Sequence, residues 1–228
     1  MSAITSKVKA LFNNGRKIVL IRHCKTNKAA EETPEADKAR TANEIGKTQC
    51  ESARTTYFKD FLSADVVCHT EAGRTKETAE LLFKDKECKF HTIYSMYGGL
   101  NSKTGEINCE PIENAFWKNG YQNVQVYLDL VGEEPLQKYT DNVLNEVLKV
   151  FDTNSIPEEN NDKPIIFILH AVYIAALTRS IANCLGDAFP AEARNLILTT
   201  NVGEVSGFVL SSEDIKFIGS TIEPTLRS

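Results

Sequence analysis

The sequence lacks the features of a protein that crosses a membrane or binds a nucleic acid. No hydrophobic run approaches the roughly 20 residues that span a bilayer, and residues 1–14 lack the apolar core of a cleavable signal. The lysines and arginines, 26 in all, form no basic tract, and the net charge is -5. We therefore expect a cytoplasmic protein with no nucleic-acid and no membrane partner.

The cysteines lack the spacing of metal ligands, and no two of them form a CxxC pair. The six are Cys24, Cys50, Cys68, Cys88, Cys109 and Cys184. This pattern is typical of scattered thiols in a reducing compartment. We expect neither structural disulfides nor a zinc site.

Three short apolar runs predict buried parallel strands, and each run leads into polar side chains. Residues 18–21 lead into Arg22 and His23, and residues 165–169 lead into His170. Residues 64–68 lead into a turn that contains Arg74. Further helices are predicted at residues 41–61, 75–83, 124–151 (with a break near Gly132 and Pro135) and 172–185, and two late strands at residues 204–210 and 215–220. Strands alternating with helices predict an α/β fold.

Two segments are predicted to be irregular. Residues 28–40 are rich in Ala, Glu and Lys and read as a solvated loop over the strand ends. Residues 88–123 contain several glycines and a proline and read as an excursion that caps the sheet. We expect one domain over residues 1–228, with substrate choice decided by these two segments; their sequences identify neither the substrate nor the oligomeric state.

The predicted strand ends bring together two arginines and two histidines. The carboxyl ends of neighbouring parallel strands meet at one edge of a sheet, so Arg22, His23, Arg74 and His170 should lie close together. A guanidinium offers a planar fork to phosphate. One imidazole can attack phosphorus while another stabilises the developing charge. The constellation therefore predicts a phosphate pocket capable of phosphoryl transfer.

These residues resemble the signatures of the histidine phosphatase superfamily, which includes the cofactor-dependent phosphoglycerate mutases. The family's Arg-His-Gly, Leu-Thr-x-x-Gly-x-x-Gln-Ala, Arg-x-x-x-Thr-Ala and strand-His-Gly elements correspond to residues 22–24, 41–49, 74–79 and 167–171. They occur in the family's order and span most of the chain. Cys24 and Ala171 stand where the family has glycines.

The resemblance implies a fold, an activity and roles for four residues. The fold would be a three-layer sandwich with a mostly parallel central sheet flanked by helices, as in the phosphoglycerate mutases. The activity would be hydrolysis of phosphoric monoesters through a phosphohistidine, without metal or cofactor. His23 and His170 would be catalytic, His23 as the nucleophile, and Arg22 and Arg74 would bind the phosphate of a substrate of unknown identity.

The general acid of the family has no obvious counterpart in this chain. Alignment of the Tyr-Gly-Gly-Leu at residues 97–100 puts Tyr94 where the family has a Glu. A phenol, with an unperturbed pKa of about 10, is a poor acid near neutral pH. Glu71 and Glu106 are possible substitutes that the sequence does not place. We expect slow turnover or a preference for good leaving groups, and no mutase activity.

Two alternatives stay open at this point. Cys68 and Arg74 are spaced Cys-x5-Arg after a strand and before a helix, which resembles the phosphate loop of cysteine-dependent phosphatases. The protein could instead be a catalytically inactive member of the superfamily that binds a phosphorylated ligand. The missing Glu favours that second alternative, and the four pocket residues argue against it.

Overall fold

A mixed six-stranded sheet organises the computed structural model, which describes residues 3–12, 15–153, 162–186 and 189–223. In chain order the strands are β1 (Ile18–Arg22), β2 (Val66–His69), β3 (Lys89–Thr92), β4 (Ile165–Leu169), β5 (Gly207–Leu210) and β6 (Ile215–Ile218). Across the sheet their order is β3-β2-β4-β1-β5-β6. The pairs β3–β2, β2–β4 and β4–β1 are parallel, while β5 runs antiparallel to β1 and β6.

Helices cover both faces of this sheet. The α-helices are α1 (Ala3–Ala10), α2 (Pro34–Lys38), α3 (Glu44–Thr55), α4 (Gly73–Leu82), α5 (Glu110–Asn119), α6 (Val124–Val131), α7 (Glu133–Thr153), α8 (Ala171–Leu185) and α9 (Ala191–Thr199). Short 3-10 turns occur at Lys59–Phe61 and Tyr94–Met96. One face packs against α3 and α4, and the other against α1 and α5 to α9.

The central strands alternate their side chains between the two cores. In β1, Leu20 belongs to the larger core, whereas Val19 and Ile21 belong to the smaller one. In β4, Phe167 belongs to the larger core and Ile166 to the smaller one. A strand buried on both faces reads as an unbroken apolar run, which is why β1 and β4 were visible in the sequence. The three-layer α/β sandwich is confirmed.

The prediction that residues 88–123 are irregular is wrong at two places. β3 lies at the edge of the sheet with exposed or half-exposed side chains, so it carries no apolar run to signal a strand. α5 begins at Glu110 with Pro111 in its first turn, where a missing N–H costs no helical hydrogen bond. α1 and α9 were not predicted. The single-domain organisation stays a prediction.

The predicted break in the helical segment 124–151 is confirmed at one residue. α6 ends at Gly132, whose φ of 79° places it in the left-handed region that glycine tolerates. Pro135 lies inside the first turn of α7 and does not interrupt it. Residues 153–162, whose polar sequence predicts a loop, fall almost entirely outside the described residues. Within the described part of the chain, no helix combines the length and hydrophobicity needed to cross a membrane.

Candidate active site

The four predicted side chains line a single pocket at the carboxyl edge of β1, β2 and β4. Arg22 is the last residue of β1 and His23 follows it, His170 follows β4, and Arg74 is the second residue of α4, which follows β2. The pocket measures about 630 Å³ including its open mouth, and all four residues line it. The structure therefore brings together the whole constellation that the strand ends predicted.

Backbone hydrogen bonds fix the two histidines relative to each other. The His23 N–H donates to the carbonyl of Leu169 at 3.0 Å, which continues the parallel ladder between β1 and β4. The two imidazole ring centres lie 5.2 Å apart, with their planes at 63°. The sheet itself thus sets the spacing of the pair.

A backbone carbonyl fixes the tautomer of His23. Its Nδ1 lies 2.8 Å from the carbonyl oxygen of Cys24, and a carbonyl can only accept, so Nδ1 carries the proton. The neutral ring therefore keeps its lone pair on Nε2. Burial, helped by the positive charges of Arg74, His170 and Arg22, holds the pKa of His23 well below its usual value. His23 is consequently neutral near pH 7, with the lone pair of Nε2 unprotonated.

His170 is held by a small hydroxyl network. Its Nε2 lies 3.2 Å from Oγ1 of Thr70, which is itself 2.8 Å from Oγ1 of Thr75. Burial first, and then the charges of Arg74, Arg22 and Arg40, hold the pKa of His170 well below its usual value. A phosphate dianion in the pocket would offset these positive charges and favour protonation of the ring.

Arg22 is buried at the end of β1, beside the segment that precedes β5. Its Nη1 donates to the carbonyl of Val202 at 3.0 Å, and its Nη2 lies 3.7 Å from the carboxylate of Glu204. The guanidinium carbon stands 4.8 Å above the ring centre of Tyr121. Its buried Nε has no hydrogen-bond partner among the described residues. A buried donor of this kind costs about 1–3 kcal/mol until an acceptor reaches it.

Arg74 is bound at present by Asp37. Nη2 of Arg74 donates to Oδ2 of Asp37 at 2.9 Å, and Nη1 donates to the main-chain carbonyl of Asp37 at 2.6 Å. The Asp37 carboxylate also accepts from Nη1 of Arg40 and from the hydroxyl of Tyr97, each at 2.9 Å. Burial alone would raise the pKa of Asp37, but Arg74, Arg40 and Tyr97 hold it below the usual value.

Asp37 lies on α2, inside the segment that was predicted to be a solvated loop. Every residue of this helix is at least partly exposed, so the prediction holds for its outer surface. It missed the one carboxylate that turns inward. The charge run at Glu31, Glu32, Glu35 and Asp37 gave no sign of which member would face the pocket.

The residues considered as the general acid lie outside the pocket lining. The ring of Tyr94 is covered by the ammonium of Lys103, 3.7 Å from its centre. Glu71 pairs with Lys38 at 3.1 Å, and Glu106 belongs to an exposed loop. Of the described residues that line the pocket, the carboxylates are Asp37 and Glu113.

The geometry does not support Cys68 as a nucleophile. Its side chain is fully buried in the larger core, away from the pocket lining. Burial raises the pKa of the Cys68 thiol to about 12, so the thiolate needed for attack is scarce at neutral pH. Arg74 lines the pocket together with His23, whereas Cys68 does not.

No family model matches the chain, and no curated protein matches it in sequence. Among solved structures, it resembles a mycobacterial glucosyl-3-phosphoglycerate phosphatase in complex with VO3: identity is 16%, coverage is 91% of this chain and 100% of the other, and the TM-score is 0.52. The same enzyme with inorganic phosphate is 16% identical, with coverage of 91% of this chain and 97% of the other and a TM-score of 0.54. A structure described as mycobacterial hydrolase 2 is 16% identical, with coverage of 94% of each chain and a TM-score of 0.55. The chain therefore shares the fold of these solved structures, in agreement with the fold that its sequence motifs indicated.

Proposed function

We propose that this protein is a phosphatase that hydrolyses phosphoric monoesters through a phosphohistidine intermediate on His23. The observation that carries the proposal is the bond between Nδ1 of His23 and the carbonyl of Cys24, which leaves the Nε2 lone pair available. This nitrogen belongs to a pocket that also contains Arg22, Arg74 and His170. A neutral nucleophile among cationic groups is the arrangement that attack on a phosphate dianion requires.

In the first step, Nε2 of His23 attacks phosphorus. The P–N bond forms while the bond from phosphorus to the ester oxygen breaks, and that oxygen leaves with a proton as an alcohol. Negative charge spreads over the equatorial phosphoryl oxygens in the transition state. Arg22, Arg74 and protonated His170 offer donors to these oxygens and so stabilise the charge.

In the second step, water attacks the phosphohistidine. The P–N bond breaks, inorganic phosphate forms, and His23 returns to its neutral state. The ring does not need to turn over between the steps, because Nδ1–H continues to donate to the carbonyl of Cys24. The substrate stays unidentified; the pocket that would receive it is lined in part by Asp37 of α2 and by Glu113, Phe116 and Trp117 of α5.

The proposal is tested with p-nitrophenyl phosphate and variants measured side by side. We expect His23→Ala to lose hydrolysis and to form no acid-labile phosphoenzyme. Cys68→Ser should stay active, and so should His91→Ala, a matched loss of a histidine on the edge strand β3. Circular dichroism of each variant separates misfolding from lost chemistry.

Two results would contradict the phosphohistidine mechanism. Activity that survives in His23→Ala but disappears in a folded Cys68→Ser would indicate a thiolate nucleophile. A wild-type protein that binds vanadate tightly but hydrolyses nothing would be a phospholigand-binding protein.

A further inference from the structure

Two carboxylates among the described residues line the pocket, and their surroundings differ. Glu113, from α5, accepts from the hydroxyl of Tyr173 at 2.5 Å. Asp37, from α2, is bound to Arg74, one of the groups that would hold the phosphoryl oxygens. Asp37 is therefore the carboxylate whose hydrogen bonds a substrate would have to share or replace.

A phosphoryl group competes with Asp37 for Arg74. Both terminal nitrogens of Arg74 donate to Asp37, and its Nε is buried without a partner among the described residues. A phosphate can take the terminal donors only when the Asp37 carboxylate gives them up. Asp37 can move at small packing cost, since every residue of α2 is partly exposed.

The depth of the two groups places Asp37 on the leaving-group side. His23 is only 8% exposed at the bottom of the pocket, whereas the side chain of Asp37 is 30% exposed near its mouth. Attacking and leaving atoms lie roughly in line across the transferred phosphoryl group. With His23 attacking from below, the ester oxygen departs towards the mouth, where Asp37 stands.

We propose that Asp37 is the catalytic acid that protonates the departing ester oxygen. This inference rests on the proposed phosphohistidine mechanism. As the P–O bond breaks, the carboxyl proton of Asp37 passes to the ester oxygen and the alcohol leaves. The resulting carboxylate then takes a proton from the water that attacks phosphorus; a P–O bond forms as the P–N bond to His23 breaks, and the acid is restored. The net reaction is the phosphoric monoester plus water giving alcohol plus phosphate.

Substrate binding supplies the proton that the acid needs. In the structure Asp37 faces Arg74 from α4, Arg40 from the end of its own segment and Tyr97 from the segment after Tyr94–Met96, and the Tyr97 ring packs against His170. When a phosphate dianion takes Arg74, the carboxylate loses a cation and gains an anionic neighbour. Both changes raise the pKa of Asp37, so proton uptake accompanies binding.

The role is tested by comparing two leaving groups in Asp37→Asn. A p-nitrophenolate leaves without protonation, whereas the alkoxide of glycerol 2-phosphate needs a proton. General acid catalysis contributes roughly 100-fold or more. We expect Asp37→Asn to lower kcat for glycerol 2-phosphate by about that factor and kcat for p-nitrophenyl phosphate by less than about tenfold. The decline of the alkyl rate at high pH should disappear in the variant.

Two matched carboxylates serve as comparisons. Glu35→Gln removes an exposed charge from the same helix and should leave both rates unchanged. Glu113→Gln alters the other pocket carboxylate, and any loss should be equal for the two substrates. A substrate split in Glu113→Gln, with none in Asp37→Asn, would assign the acid to Glu113.

Other outcomes overturn the assignment in recognisable ways. Equal losses of kcat on both substrates would make Asp37 a positioning residue for Arg74. A higher kcat in Asp37→Asn than in the wild type would show that Asp37 inhibits the reaction by occupying Arg74. Failure of the phosphohistidine mechanism is seen separately, because it is measured with His23→Ala on the aryl substrate. The slow turnover was predicted because Tyr94 stands where the family has its acidic Glu. If Asp37 is the acid instead, we expect efficient hydrolysis of alkyl phosphates.

Discussion

At the scale of single residues, the pocket depends on guanidinium geometry as well as charge. Arg74 donates through two nitrogens at once, an arrangement that a lysine ammonium on a flexible stem does not reproduce. We expect Arg74→Lys to weaken inhibition by vanadate by about tenfold or more, as a lost charge-assisted hydrogen bond predicts. Arg54→Lys, on the outer side of α3, is the control. Unchanged vanadate inhibition in Arg74→Lys would show that Arg74 contributes charge alone.

At the scale of elements, the contact between α3 and the segment after His23 needs Gly46. A Cβ at this position would lie 2.2 Å from the carbonyl oxygen of Lys25 and 3.0 Å from Sγ of Cys24. Alanine is favoured over glycine in a helix by about 1 kcal/mol, but a backbone carbonyl at that distance cannot give way cheaply, and overpacking costs about 1–3 kcal/mol.

The clash should outweigh the helical gain in Gly46→Ala. We expect a net loss of roughly 1–2 kcal/mol in the free energy of unfolding, measured by urea denaturation, together with slower hydrolysis of p-nitrophenyl phosphate, because Cys24 and Lys25 directly follow His23. Thr48→Ala, at an exposed site of the same helix, should stay within about 0.5 kcal/mol of the wild type. A stabilised Gly46→Ala would mean that α3 can move away from this segment freely.

The elements that could be predicted from the sequence are those with a local signal. β1, β2 and β4 are apolar runs that end in polar residues, and these strand ends were enough to place all four pocket side chains. β3 has no such run because it is an edge strand. Asp37 could not be predicted, because its position depends on a hydrogen bond to Arg74 across 37 residues of sequence.

At the scale of the whole molecule, acid should destabilise the fold through its histidines. All four have pKa values below the usual 6.5, in each case chiefly because of burial. Below about pH 6.5 the histidines bind protons in the unfolded chain but stay neutral in the folded protein, so the free energy of unfolding falls as the pH drops towards the lowered pKa values. Each fully buried histidine contributes up to about 1.4 kcal/mol per pH unit.

Urea unfolding at pH 7.5 and pH 5.5 measures this effect. We expect a lower free energy of unfolding at pH 5.5, and a smaller pH dependence in His170→Gln, which removes one of the two rings whose pKa values lie well below the usual value. Saturating phosphate should also reduce the dependence, because the bound anion favours protonated His170. A wild type equally stable at both values would show that the rings are accessible to protons in the folded state.

The carbonyl that orients His23 belongs to the main chain, and this determines what evolution can alter at the site. A carboxylate in that role would be lost by a single codon change. Here the acceptor survives every substitution at Cys24 that the surrounding packing tolerates, so a cysteine can occupy the position where related signatures have glycine. The orientation of His23 is set by the main chain, and substitution of this neighbouring side chain leaves it intact.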